Sequence, residues 1–351
     1  AKQVVLFANS RGGNAVRSCI EAGCAGKVSH AILGGTPNHG VWAIPSFRPN
    51  NEFNGAGPYL SALNAPKGAN GDEVSPGLAW LTLRSDSNDK FAQPDGVWIG
   101  AKGTPTGVTF EGPALKGATN LVLPGRDHRE VSYHAEAFAE AYRFITGRAP
   151  ASAAVQPEAS VVLDGQVTGV TPAGPTNLPL PGARVAVYAV DPATGARQSP
   201  ALLAKTVGAD GRWGPLSTDA RTPLEFELIA PGFAVSHIYR SPFPRSSSVV
   251  HLRPEAFAAA DEDASAVVSF IRPRGYFGLP RDTIVLDGQP APGIPPGVAG
   301  VAASKLKLVG TAGRGVSGDY RSGAVSERVV GYAWPARQGS ERHVTVLELT
   351  N

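Results

Sequence analysis

Residues Val4-Val5-Leu6-Phe7-Ala8 form an unbroken apolar run that leads directly through Asn9-Ser10-Arg11-Gly12-Gly13 into a helix-forming stretch. A continuous apolar run of this kind suits a central parallel strand, buried on both faces. Small residues, Ala8 and Gly12, stand two positions to either side of Ser10. A strand that turns into a helix within so few residues leaves no room for larger side chains there. The turn lifts the serine hydroxyl clear of the sheet and sets it near the positive end of the helix. The junction therefore demands a parallel sheet with a covering helix, and it singles out one serine.

The rest of residues 1–150 keeps to that pattern. Gly13–Glu21 reads as the helix, and Val28–Leu33 as a strand ending in Gly34-Gly35-Thr36-Pro37-Asn38-His39-Gly40. Leu78–Leu83 and Asn120–Leu123 are further strands, and Phe138, Tyr142 and Ile145 recur at helical spacing on a closing helix that stops near Gly147. Between them, residues 41–77 form a Pro/Gly/Asn-rich, lid-like insertion. With His39 at its mouth, the large side chains Trp42, Phe47, Phe53 and Tyr59 are candidates to line a substrate pocket; the alternative is a surface excursion with its own small core.

Beyond an Ala/Pro/Ser-rich linker at 149–157 the helix signals fade. Residues 158–254 read as a β-sandwich module, with strands at Val161–Val167, Arg184–Val190 and Leu224–Ile229 between Gly/Pro/Asp turns. A helix-like patch, Pro254–Ala260, and Asp261-Glu262-Asp263 mark a boundary to a second β module at 262–351. The 42 glycines and 31 prolines among 351 residues fit such turn-rich modules. A net charge of +3 without a Lys/Arg run excludes a nucleic-acid patch, and no apolar stretch reaches membrane-spanning length. No metal or cofactor motif is present. Cys19 and Cys24 are not spaced as a zinc site; they can bond if the chain turns back at Gly23, or stand as two buried thiols.

A serine hydroxyl becomes a nucleophile when a base takes its proton and an acid orients that base. The strand at 78–83 runs into Arg84-Ser85-Asp86-Ser87-Asn88-Asp89, which offers Asp89 as the acid and Asp86 as the fallback. The last strand runs through Pro124-Gly125-Arg126-Asp127 into His128, ahead of a helix, which offers His128 as the base. His134 comes later after the strand and is the weaker candidate. The Arg11 backbone N–H, next after Ser10, is one oxyanion donor.

These segments resemble the α/β-hydrolase lipases, in which a His-Ser-x-Gly-Gly turn is followed by a Lys-Val strand ending in Gly-Thr-Pro-x-x-Gly. Here the matching stretches are Asn9-Ser10-Arg11-Gly12-Gly13 and Lys27-Val28 through Gly35-Thr36-Pro37-Asn38-His39-Gly40. The chain departs in carrying Asn9 beside the serine and Ala8 where a glycine is usual. The resemblance covers 1–147 and implies Ser10, Asp89 and His128 as a triad acting on carboxylic esters. It also implies a partial α/β-hydrolase fold, with upstream strands, the second oxyanion donor and any signal segment preceding Ala1, and a secreted or periplasmic protein. A fainter resemblance, carried by Ala186-Val187-Tyr188 and His237-Ile238-Tyr239-Arg240-Ser241-Pro242, is to the C-terminal β-region of archaeal long-chain lipases. The expected whole is an α/β-hydrolase part followed by two all-β modules, acting on a lipid or other ester without a cofactor. The alternatives are an aliphatic polyester depolymerase and an inactive, hydrolase-like binding protein.

Overall fold

The computed structural model describes residues 2–171 and 174–350. The chain divides into two compact units: Ala1–Ala154 with Arg274–Gly278 and Gly297–Gly300, and the remainder.

The first unit is built on a four-stranded parallel sheet in the order β1 (Val4–Asn9), β2 (Val28–Gly34), β3 (Ala79–Ser85), β4 (Thr119–Leu123). Alternation along β2 sends Ala31 and Leu33 to one face, where they pack with Ile20, Trp80 and Leu115, and Ile32 to the other, where it packs with Leu81, Leu83 and Leu123. Helix α1 (Arg11–Cys19) follows β1, and α2 (Pro58–Leu63) lies within the insertion. Helices α3 (Glu130–Tyr133) and α4 (Ala135–Thr146) follow β4. The stripe Phe138, Tyr142, Ile145 does not face the sheet. Phe138 and Ile145 are exposed, and α4 buries Ala137 and Ala141 instead, with Phe144 edge-on to His30. Alanines allow the helix to approach the strands closely, and that contact sets its rotation.

Arg17 of α1 makes several bonds to the insertion and its flank. The buried Arg17 guanidinium donates to Asn38 Oδ1 (3.2 Å), the Leu63 carbonyl (2.9 Å), Asn64 Oδ1 (2.8 Å) and the Glu73 carbonyl (3.0 Å). Burial lowers its pKa to about 10, partly offset by the carboxylates of Glu73 and Glu21. Past α1 the chain turns at Gly23 (φ 95°), and Cys19 and Cys24, both exposed, form a disulfide.

The second unit is β-rich. Its largest sheet has eight strands, and Val235–Arg240 pairs in parallel with Glu341–Glu348, so strands from 158–254 and 262–351 share one sheet. The patch at 254–260 is not a helix; only Ala259–Asp261 forms a short 3-10 turn, and the Asp261 carboxylate accepts from Lys305. A polar network is buried in this unit. Arg197 bridges Glu225 and Glu227, Glu225 bonds His237 Nδ1 at 2.7 Å, and His237 Nε2 meets His343 Nδ1 at 2.9 Å beneath the stacked Trp334 ring.

Arg17→Met deprives four acceptors, buried or half-buried, of their donor and is expected to lower the unfolding free energy by roughly 2–4 kcal/mol. Urea titration of the full chain would measure it, and a change below about 0.5 kcal/mol would contradict this role for Arg17.

Candidate active site

Ser10 links β1 to α1 in a conformation rare for a residue with a side chain, φ 53° and ψ −128°. Such strain persists only where the surroundings enforce it. Asn9 does much of this. Its amide Nδ2 donates to the Gly34 carbonyl (3.1 Å), the His128 carbonyl (3.1 Å) and Ser132 Oγ (3.0 Å), tying the end of β1 to β2 and to the loop after β4. Asn9 thus serves as an amide brace.

The loops after β2 and β4 come together because Gly34 and Gly35 lack side chains. A Cβ on Gly34 would lie 2.0 Å from Ser132 Oγ, and one on Gly35 (φ 56°) would lie 2.8 Å from the His128 carbonyl. His128 stands just inside a reciprocal cap at the start of α3. Asp127 N–H donates to Glu130 Oε2 (2.8 Å) and Glu130 N–H donates to Asp127 Oδ1 (3.0 Å). The Asp-x-x-Glu spacing of Asp127 and Glu130 marks this cap in the sequence itself.

The structure brings Ser10, His128 and Asp89 into one chain of hydrogen bonds. Ser10 Oγ lies 2.8 Å from His128 Nε2, and His128 Nδ1 lies 2.9 Å from Asp89 Oδ2. A carboxylate only accepts, so Nδ1 carries the proton and Nε2 is free to accept from Ser10. Asp89 Oδ1 is held by the Phe91 N–H (2.8 Å), and the Phe91 ring packs edge-on against His128. Asp86 has another task. Its carboxylate accepts from Gly125 N–H (2.8 Å), Asn88 N–H (3.0 Å) and Asn88 Nδ2 (2.9 Å), joining the loops after β3 and β4. Burial pushes its pKa up, but these donors hold it below the ordinary carboxylate value. The Ser85 hydroxyl donates to the Arg126 carbonyl beside it. His134 serves α4, accepting Glu136 N–H at its first turn.

As the first residue of α1, Arg11 has no intrahelical acceptor for its N–H. Its side chain pairs with Glu52 and lies over the Phe53 ring. A cavity of about 370 Å³ is lined by His128, Asp89, Phe91, Arg84, Phe110 and His39 among others. Of the aromatic candidates, Trp42, Phe47, Phe53 and Tyr59 are not in its lining. Trp42 is buried with its Nε1 on the Phe47 carbonyl, and the Tyr59 hydroxyl bonds Ser18 Oγ, so both hold the insertion together. His39 bonds Glu73 at 3.1 Å. Phe91 and Phe110, which wall the cavity, lie in loops with no periodic pattern to mark them.

For a metal, Glu225, Glu227 and His237 in the second unit bring ligand atoms within 4.8 Å of one another. The Arg197 guanidinium already occupies both carboxylates at 2.7 and 2.6 Å, which supplies the cation.

Residues 159–257 match the family model of the lipase C-terminal domain, so this stretch is related to the C-terminal domains of lipases. A search of curated proteins finds no match. Among solved structures, the shaft pilin spaA of Lactobacillus rhamnosus GG is similar at 13% identity and a TM-score of 0.22, over 55% of this chain and 98% of the pilin. A point variant of that pilin is similar at 13% identity and a TM-score of 0.20, over 55% of this chain and 97% of the pilin. Superpositions this loose carry no functional information. No helix among the described residues is long and apolar enough to cross a membrane.

Because Asp86 titrates lower in the folded chain, its contribution is present above the ordinary carboxylate pKa of about 4 and is lost as pH falls through the depressed value. Asp86→Ala is expected to destabilise by about 1–2 kcal/mol at pH 7. Melting curves should show the gap to the parent protein closing in acid, and a gap unchanged at pH 3 would contradict this.

Proposed function

We propose that the chain is a carboxylic-ester hydrolase of lipase or esterase type, working through Ser10, His128 and Asp89. The observation that carries this reading is the unbroken hydrogen-bonded path from Ser10 Oγ through both His128 nitrogens to Asp89, at 2.8 and 2.9 Å. Ser10 Oγ attacks the ester carbonyl as its proton passes to His128 Nε2. Asp89 stabilises the resulting imidazolium, and the Arg11 N–H donates to the oxyanion. His128 then protonates the departing alcohol, and the acyl group remains on Ser10. Water, deprotonated by the same nitrogen, cleaves the acyl-enzyme and restores the serine.

The strained backbone at Ser10 supports the nucleophile role, since such conformations gather at reacting residues. The lipase-type stretch at 159–257 supports a lipid or other ester substrate. In this reading residues 1–150 are part of a hydrolase domain, and 158–254 and 262–351 are accessory β modules. The exposed Cys19–Cys24 disulfide supports a secreted or periplasmic location, since the cytosol reduces such bonds.

A fluorophosphonate probe should label Ser10, located by mass spectrometry. Ser10→Ala should abolish labelling and lower kcat/KM on a p-nitrophenyl ester by at least roughly 10⁴-fold. Asp89→Asn should cost about 10⁴-fold in kcat and Asp86→Asn less than about tenfold. Label on another residue, or an active Ser10→Ala protein, would sink the proposal; equal losses at Asp86 and Asp89 would remove the assignment of the acid.

A further inference from the structure

Asp89, Lys90 and Phe91 are consecutive, and the outer two both contact His128. Asp89 Oδ2 bonds Nδ1 at 2.9 Å, and the Phe91 ring lies 4.6 Å from the imidazole, centroid to centroid. The Lys90 ammonium is enclosed by aromatic rings. It lies 4.0 Å from the Tyr276 centroid, 4.9 Å from Phe91 and 5.1 Å from Trp98, and it donates to the Gly300 carbonyl at 2.8 Å. Tyr276 and Gly300 belong to the short segments 274–278 and 297–300 that form part of the first compact unit.

Tyr276 also grips the other loop of the site. Its backbone N–H donates to Asp127 Oδ2 at 2.7 Å, across 149 residues of sequence, and the Arg129 guanidinium lies 4.4 Å from its ring centroid. Asp127 and Arg129 are the immediate neighbours of His128. One buried tyrosine thus holds the residue before His128, the residue after it, and the residue after Asp89.

We propose that Tyr276 and Lys90 are positioning residues that set the distance between His128 and Asp89 from outside the reacting groups. The proposal rests on the assignment of Ser10, His128 and Asp89 as the catalytic set. Without the clamp, each loop is free to move at its tip, and displacement of about 1 Å in such a site can cost about 100-fold in rate.

The electrostatics support a role in position. Burial, and then the neighbouring Arg129, lower the Lys90 pKa to about 8 against the pull of Asp89 and Asp127. Burial raises that of the Tyr276 phenol, so over this range the ring stays neutral. The unfolded chain keeps the Lys90 proton up to about pH 10.4. Between these values the unfolded state binds more protons, so stability rises with pH there.

The test uses the complete chain with Tyr276→Ala, Tyr276→Phe and Lys90→Met, a p-nitrophenyl ester and a fluorophosphonate probe. Tyr276→Ala and Lys90→Met should lower kcat and the labelling rate by about 10- to 100-fold with KM changed less than about twofold. Both Tyr276 variants keep the backbone N–H that bonds Asp127, so Tyr276→Phe, which also keeps the ring, should recover most of the rate. Melting of each variant at pH 7 separates loss of rate from loss of stability. The parent should lose kcat as pH rises through about 8, and Lys90→Met should lack that limb. The downfield proton NMR signal of the His128 Nδ1–Asp89 bond should broaden or vanish in Tyr276→Ala. Unchanged kcat and labelling in both Tyr276→Ala and Lys90→Met would overturn the proposal, as would losses that track melting alone. If the parent chain is not labelled at Ser10, the catalytic reading fails separately; the NMR signal then decides the clamp, and its survival in Tyr276→Ala refutes it.

Discussion

Two missing side chains at the end of β2 govern how closely the site can assemble. With no Cβ on Gly34 or Gly35, the loop carrying His128 descends until its carbonyl and Ser132 meet the sheet edge. That descent puts the imidazole within 2.8 Å of Ser10 and lets the Asn9 amide span three acceptors on two elements. The same economy of space applies on the other side, where a Cβ on Gly13 would fall 1.9 Å from Thr36 Oγ1. Alanine at Gly34 or Gly35 would meet Ser132 or backbone, so the loop would have to move and the chain of hydrogen bonds would break.

Polar groups then lock what the glycines allow. Asp86, Ser85 and Asp127 join loops that no regular secondary structure connects, and Arg17 secures the insertion to the helix that follows the serine. Each such bond is worth little on balance, but losing one partner leaves the other buried and unsatisfied, which costs about 1–3 kcal/mol. The second unit shows the same principle in its Arg197–Glu225–His237 network. Burial there pushes the Glu225 carboxylate up, yet Arg197 and His237 hold it below its usual value. Removing one member of a buried charge network is far more damaging than replacing the whole with apolar residues.

Most strands were legible from an apolar run or an alternating pattern, but the run at β1 did not record burial: β1 is an end strand of the four-stranded sheet, with Val4, Val5 and Phe7 exposed. Leu224–Ile229 is a strand over the same residues in sequence and structure. Two readings went astray for a common reason. On α4 hydrophobicity marked Phe138 and Ile145, whereas close approach favoured Ala137 and Ala141, and a hydrophobic stripe records volume and apolarity but not how near two backbones must come. At 254–260 local propensity pointed to a helix, whereas only Ala259–Asp261 turns, as a short 3-10 segment. The insertion aromatics were visible as large side chains, but only packing divides Trp42, sealed inside, from Phe91 and Phe110 on the cavity wall.

What the sequence determined alone was local: a strand turning sharply at a serine, a histidine loop after the last strand, carboxylates after the third, and β-rich segments beyond a linker. Those features depend on residues a few positions apart, whose sterics and periodicity act before the chain is folded. Tertiary structure alone decided which carboxylate faces His128, how the strands of 158–254 and 262–351 join in one sheet, and that Tyr276 reaches the loops of a site far upstream. Such choices depend on distances between residues remote in sequence, and those distances exist only once the elements have packed.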